Sequence, residues 1–142
     1  MRVQKGPIPK YYQLRGILAD QIEGGKFHLA GFGSGARAAS NYSQMSSEYF
    51  QTLTSFSGWH WASWDKDEAL AGFRDIPVRL IVGERDDFGL PLNERIEGQM
   101  SGEGVDVGLT ILTGDNQLLA SMRRGKLLDY IPREAGMLNT SW

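Results

Sequence analysis

The chain has 142 residues, enough for one domain but well short of the roughly 250 residues of a (β/α)8 barrel. Hydrophobic residues make up 41% and charged residues 23%, which is typical of globular proteins and excludes bulk disorder. The net charge of −2 shows no basic excess for a phosphate backbone, so nucleic acid is not an expected partner. The absence of cysteine excludes disulfides, thiolate metal sites and a cysteine nucleophile.

The sequence predicts neither a metal site nor a cofactor. Its only histidines are His28 and His60, too few for a histidine-rich metal site. Apolar runs such as Leu80 to Val82 fall far short of the roughly 20 residues that a membrane span needs. Residues 1–10 carry no apolar core behind their basic residues, so they do not read as a secretory signal. We therefore expect a cytoplasmic protein without membrane association.

Hydrophobic periodicity predicts strands that alternate with helices. Residues 1–10, with prolines at 7 and 9, are predicted to form an extended arm before a single domain over 11–142. Apolar runs bounded by glycine or proline predict strands at Phe27–Phe32, Gln51–Phe56, Val78–Val82 and Val105–Leu112. Helical spacing predicts helices at Tyr11–Gly25, Ala36–Phe50, Lys66–Phe73, Pro91–Met100 and Leu118–Tyr130. This order predicts an α/β fold, with a parallel sheet of about four strands covered by helices on both faces.

The glycine-rich turn Gly31-Phe32-Gly33-Ser34-Gly35-Ala36 joins a predicted strand to a predicted helix and has three interpretations. Gly31, Gly33 and Ala36 match a dinucleotide fingerprint, but the next strand ends without the acidic residue that would hold a ribose. Gly31, Gly33 and Gly35 also occupy the key positions of a G-x-S-x-G nucleophile elbow, with glycine where the serine should be. In the third interpretation the glycines only permit a tight turn and close packing.

From Phe27 to about residue 133 the chain resembles the C-terminal half of an α/β-hydrolase of the esterase and polyester-depolymerase kind. The glycine turn resembles the elbow, and 54–58 resembles the strand that follows it. The segment 76–87 resembles the strand whose tip carries the catalytic acid. The segment 105–117 resembles the last strand and the loop of the catalytic histidine.

The resemblance places the three catalytic positions on residues that do not form a triad. The nucleophile position falls on Gly33, the acid position on Asp86 and the base position near Gln117. A Ser–His–Asp triad needs all three groups, because the histidine takes the serine proton and the acid orients the histidine. Ser34 and His60 are candidate substitutes for the nucleophile and the base. An N-cap role that accepts helix N–H groups is the favoured interpretation of Ser34.

An aromatic loop, defined here as residues 57–64, follows the second predicted strand and contains Trp59, Trp61 and Trp64. Large aromatic side chains at a strand tip can line a ligand pocket or anchor a partner, or they can simply cover a small core. We predict that Gly33, Ser34 and these three tryptophans bind a ligand. The alternatives remain open at this stage.

The half-length resemblance also predicts an interaction surface. The elbow strand lies inside the sheet of a complete α/β-hydrolase, so Phe27–Phe32 would here lack a neighbour on one side. An unpaired apolar strand edge is a template for pairing with another chain. We expect a homo-oligomer or a partner protein at this edge.

Residues 7–25 are also similar to the first helix of GntR-type regulators, although no recognition helix follows. The favoured function is a binding or assembly subunit that has lost catalysis. The alternatives are a carboxylic-ester hydrolase with a noncanonical or partner-completed site, and a GntR-like DNA-binding regulator.

Overall fold

A computed structural model describes residues 26–45, 47–58, 72–122, 126–130, 132–134 and 137–138. Several predictions lie outside these residues: the extended arm 1–10, the helix Tyr11–Gly25, and the helix Lys66–Phe73 except for its last two residues. Of the aromatic loop, only Ser57 and Gly58 are described. The GntR-like segment 7–25 is outside them as well.

The centre of the fold is a four-stranded parallel sheet in the order β1-β2-β3-β4. Its strands are β1 Phe27–Phe32, β2 Phe50–Phe56, β3 Val78–Gly83 and β4 Val107–Leu112. The predicted class and strand count are confirmed, and every predicted strand lies within two residues of an observed one. Short apolar runs that end at glycine or proline were sufficient to find these strands, because both faces of a parallel sheet are covered.

Helix α1 spans Ser34–Met45 and is followed by a 3-10 turn at Ser47–Tyr49. The predicted helix end at Phe50 was wrong, because Phe50 is the first residue of β2 and is buried in the core. Helix α2 spans Gly89–Gly102, slightly longer at both ends than predicted.

The predicted final helix over Leu118–Tyr130 was also wrong in extent. The residues up to 122 form turns, and only a four-residue helix, α3 at Lys126–Asp129, follows. Leu119 has a φ of 49°, a left-handed conformation that an α-helix cannot contain. A short antiparallel pair, β5 Pro132–Glu134 and β6 Met137–Leu138, ends the described chain and was not predicted.

Apolar side chains form a layer on each face of the sheet. On one face, Leu53 and Leu80 pack with Ala39 of α1 and with Ile96 and Met100 of α2, so both long helices cover the same side. On the other face, a smaller cluster contains Phe56, Ile81 and Leu119, with Met122 and Tyr130 against it. The sheet is thereby fixed from both sides, and the carboxyl ends of its strands remain together at one edge.

The core assignment predicts that Leu80→Ala lowers the free energy of unfolding by about 2–5 kcal/mol, because a fully buried side chain would leave a cavity. The exposed Leu118→Ala is the matched control and should change it by no more than about 0.5 kcal/mol. Guanidinium denaturation followed by circular dichroism measures both variants. Equal losses would contradict this assignment of the core.

Candidate functional site

A cleft of about 480 Å³ lies at the carboxyl ends of the strands. Its lining residues come from the ends of β1, β2 and β3 and from the loop after β4: Phe32, Gly33, Ser57, Arg85, Asp86, Asp87, Phe88, Gln117 and Leu118. The carboxyl edge of an open parallel sheet is the usual ligand site in α/β folds, because successive loops converge there. The nucleophile position Gly33, the acid position Asp86 and the base position Gln117 therefore share one cleft.

The turn from β1 into α1 depends on two glycines. Gly33 has a φ of 57°, and its N–H donates a 2.8 Å hydrogen bond to the Phe56 carbonyl of β2. A Cβ atom on Gly31 would lie 2.3 Å from the carbonyl oxygen of Gly35, so the strand and the helix approach too closely for any side chain there. The turn is thus a tight strand-to-helix elbow whose apex faces the cleft.

Ser34 does not have its expected role. It is the first residue of α1, it is exposed, and its side chain makes no hydrogen bond to a described residue. The carbonyl of Gly33 instead accepts the first helical N–H groups, from Ala36 at 3.1 Å and Arg37 at 3.4 Å. The predicted capping hydrogen bond was therefore wrong, and Ser34 is not among the residues that line the cleft.

Asp86, at the acid position, stabilises the start of α2. Its Oδ1 atom accepts a 2.8 Å hydrogen bond from the Gly89 N–H, and its carbonyl accepts the Leu90 N–H at 2.8 Å. A Cβ atom on Gly89 would lie 2.2 Å from Oδ2, so the carboxylate occupies the space that a side chain would take. Only 7% of Asp86 is exposed, and Oδ2 has no partner among the described residues. A capping contact of this kind contributes about 1 kcal/mol.

Sequence reasoning missed Ser57, which lines the cleft at the end of β2. Ser57 has a φ of 49°, and its N–H donates to the Ile81 carbonyl at 2.8 Å. It is 6% exposed, and its hydroxyl oxygen has no hydrogen-bond partner within the described part of the chain. A left-handed non-glycine residue is strained by about 1–3 kcal/mol, and such residues concentrate at binding sites. The only signal in the sequence was its position directly after a buried strand.

Asn93, also missed, connects the cleft to helix α2. This fully buried side chain donates from Nδ2 to the Gly58 carbonyl at 2.6 Å and to the Gly89 carbonyl at 2.8 Å. It therefore holds the residue after Ser57 against the turn of helix that Asp86 begins. Asparagine is unfavourable within a helix unless its side chain has such partners. An asparagine inside the predicted helix Pro91–Met100 was therefore the signal by which the sequence could have indicated this role.

The loop that carries Gln117 is held by Asp115, a third residue that the sequence did not single out. The Asp115 carboxylate accepts hydrogen bonds from the backbone N–H of Ser121, at 3.1 Å, and from the Ser121 hydroxyl. Its carbonyl accepts the Arg85 N–H at 2.7 Å, which ties the loop to the end of β3. Gln117 is exposed at the cleft, and no hydrogen bond joins it to Asp86 among the described residues.

Three exposed apolar side chains line the cleft, beside the exposed polar side chains of Arg85, Asp87 and Gln117. Phe32, Phe88 and Leu118 are 46%, 67% and 66% exposed, and they are three of the four large exposed hydrophobic residues in the described part of the chain. Exposed apolar side chains next to a cleft are a feature that many binding sites share.

The other predicted site residues lie outside the described ranges. These are His60, Trp59, Trp61 and Trp64. Among the described residues, no group of acidic or histidine side chains is placed to hold a metal ion. No described helix is both long enough and apolar enough to cross a membrane.

No family model and no curated protein matches the sequence, but solved structures do. Acyl-protein thioesterase 2 of Zea mays has a TM-score of 0.53 at 19% identity, over 74% of this chain and 55% of its own. A CIB-like hydrolase from Thermoplasma acidophilum gives 0.51 at 11% identity, over 78% and 47%. Esterase PE8 gives 0.49 at 24% identity, over 73% and 50%.

These likenesses show the fold. The chain has four parallel strands and helices arranged as in part of an α/β-hydrolase. It spans about half the length of the solved structures that it matches. What those proteins hydrolyse is a property of the complete structures.

The elbow geometry predicts opposite effects of two alanine substitutions. Gly31→Ala should lower the free energy of unfolding by about 2 kcal/mol, because its Cβ would overlap the backbone of Gly35. Gly35→Ala should raise it by up to about 1 kcal/mol, because no atom lies within 4 Å of that Cβ and alanine favours the helix. Thermal unfolding of the two variants tests the elbow. Equal effects would contradict the close approach of strand and helix.

Proposed function

We propose that this chain is a non-catalytic, α/β-hydrolase-like binding protein, a pseudoenzyme that holds a small, largely apolar molecule in its cleft without cleaving it. The observation that carries the proposal is the glycine at the elbow apex. Gly33 offers no nucleophilic atom where the fold would present one, and the amide of Gln117 at the base position cannot take a proton from a nucleophile.

The state of Asp86 supports the same proposal. The acid of a triad orients a histidine, but here Oδ1 holds the first N–H of α2 and the base position carries an amide. The carboxylate thus has a structural role that does not depend on catalysis.

The shape and the lining of the cleft support a ligand. A volume of about 480 Å³ lies within the range of roughly 300–1,000 Å³ that is usual for small-molecule sites. The rim of Phe32, Phe88 and Leu118 supplies apolar contact area, and the buried Ser57 and Asp86 supply a few polar groups. The lining thus combines apolar side chains with charged and polar ones, so it can contact both an apolar body and a polar head group.

Ester hydrolysis is the competing function, since two of the similar structures are named as a thioesterase and an esterase. It would require Ser34 and His60 to replace the nucleophile and the base beside Asp86, or another chain to complete the site. The exposed position of Ser34 outside the cleft lining disfavours the first route.

Hydrolysis of p-nitrophenyl butyrate separates the two functions. We expect the wild-type chain to release nitrophenol no faster than the Asp86→Asn and Ser34→Ala variants, because none of them has a nucleophile at the elbow apex. Turnover by the wild type that disappears in Asp86→Asn would overturn the proposal in favour of the esterase.

The converse experiment introduces a serine at the nucleophile position and a histidine at the base position. A Gly33→Ser/Gln117→His variant should release nitrophenol at least about tenfold faster than the wild type, beginning with a burst as the serine is acylated. Nothing lies within 4 Å of a Cβ on Gly33, but its φ of 57° strains any side chain there by about 1–3 kcal/mol, so thermal unfolding must first show that both variants fold. Gly33→Ala/Gln117→His is the matched control, since it adds the same bulk without a hydroxyl. A control as active as the serine variant would show that the elbow is not where a nucleophile acts.

Assembly through β1 is a second candidate function. Among the described strands, β1 pairs only with β2, and Ala30 and Phe32 on it are exposed. No described strand lies beside its other edge, which can extend the sheet by pairing with a second copy of the chain.

Light scattering during size-exclusion chromatography tests this assembly. We expect the wild type to elute as a dimer or larger oligomer and Ala30→Lys to elute as a monomer, because an edge lysine opposes strand pairing. Thr110→Lys, on the opposite edge strand β4, is the matched control and should remain oligomeric. A monomeric wild-type chain would contradict assembly through β1.

A further inference from the structure

We propose that the ligand of the cleft carries a protonated amine, and that this head group binds the free Oδ2 oxygen of Asp86. The inference rests on the proposed function, since it names the chemical class of the molecule that the cleft holds. It follows from three features of the cleft: a buried carboxylate with one unused oxygen, a buried hydroxyl without a partner among the described residues, and exposed apolar side chains in the lining.

The carboxylate of Asp86 is the strongest of these features. Only 7% of Asp86 is exposed, yet of its two carboxylate oxygens only Oδ1 accepts a hydrogen bond from a described residue, the Gly89 N–H. A buried carboxylate is costly unless it has donors or a positive charge beside it. Within the described residues no lysine, arginine or histidine forms an ion pair with it. Oδ2 is not one of the fully buried polar atoms without a partner, so it remains open to a donor that enters the cleft.

Arg85 is the cation nearest to Asp86 in sequence, but it does not neutralise this carboxylate. Its side chain is exposed and makes no ion pair with a described residue, although it lines the same cleft. Asp87, also exposed in the lining, adds a second negative charge. The charged side chains of the cleft thus comprise one cation and two anions, and the buried one is an anion.

Ser57, which lines the same cleft, carries a second polar atom that lacks a partner among the described residues. Its hydroxyl oxygen is buried without a partner in the described chain, and the strained backbone that places it is held by Asn93 through Gly58. An ammonium group has three N–H donors and no acceptor, so a carboxylate oxygen and a hydroxyl oxygen suit it together. Gly33 leaves the space at the elbow apex open for such a group.

The apolar side chains that line the cleft indicate the chemistry of the rest of the ligand. Phe32, Phe88 and Leu118 would contact a hydrocarbon or aromatic body, whose burial from water favours binding. The cleft is thereby suited to an alkyl or aromatic amine rather than to a highly polar molecule.

Isothermal titration calorimetry with octylammonium, octanol and octanoate tests the inference, because the three probes share a chain and differ in the charge of the head group. We expect octylammonium to bind about tenfold more tightly than octanol, the effect of a charge-assisted hydrogen bond, and octanoate to bind most weakly. Preference for octanoate would assign the head group to Arg85 and overturn the inference.

Asp86→Asn tests whether this residue carries the preference. The amide oxygen of asparagine can still accept the Gly89 N–H, so the start of α2 is retained, and thermal unfolding checks this. We expect the variant to bind octylammonium no more tightly than octanol. Asp87→Asn is the matched control, because it removes one exposed negative charge from the same cleft, and it should weaken octylammonium less than about threefold.

The outcomes separate this inference from the proposed function. If octanol and octanoate bind as well as octylammonium, the cleft binds apolar molecules but the amine is refuted. If none of the three probes binds, both the amine and the binding function fail. If Asp86→Asn and Asp87→Asn weaken octylammonium binding equally, the preference comes from the overall negative charge of the cleft. That result would also refute the role of Oδ2.

Discussion

The close approach of β1 and α1 at Gly31 and Gly35 is the constraint on which the site depends. The Gly31 position is so near the Gly35 backbone that no side chain fits, and the chain then turns through the left-handed Gly33. The same turn is held to β2 by the hydrogen bond from the Gly33 N–H to Phe56. Because this crossing fixes where α1 begins, it also fixes the apex of the elbow at the carboxyl edge of the sheet, where the ends of β2 and β3 complete the cleft.

A second set of contacts, all hydrogen bonds, connects α2 to the segments that line the cleft. Asp86 holds the first N–H of the helix, and Asn93, on the next turn, holds both the Gly89 carbonyl and the Gly58 carbonyl. The strained Ser57 is therefore supported by α2, the helix that follows β3 in the chain. Such support is expected wherever a left-handed non-glycine residue is retained, because its strain must be offset by surrounding contacts. Asp86, at the position that the α/β-hydrolase resemblance gives to the catalytic acid, here stabilises the start of a helix.

Hydrolase-like geometry without a hydrolase nucleophile is consistent with how folds and functions are related. A fold supplies the position of a cleft, and side chains at that position decide its chemistry. In this chain the position is retained, while the elbow apex is a glycine and the base position is an amide. In the function that we propose, the polar atoms of Asp86 and Ser57 recognise a head group and break no bond.

The sequence by itself determined the strands and the glycine turn, and its resemblance to α/β-hydrolases singled out Gly33, Asp86 and Gln117. Apolar runs between glycines and prolines are local signals, and they located β1 at its observed limits and placed Gly33, Asp86 and Gln117 at strand ends. Only the tertiary structure decided what these residues do. The hydrogen bond of Asp86 to Gly89 and the unpaired hydroxyl of Ser57 depend on which segments meet in space. Tertiary contacts also explain the two helices that were predicted too long. Helix α1 ends early because Phe50 is buried in the core as the first residue of β2. The segment after Leu118 was predicted as a helix from its spacing, but the hydrogen bonds of Asp115 and the left-handed Leu119 hold it as a loop.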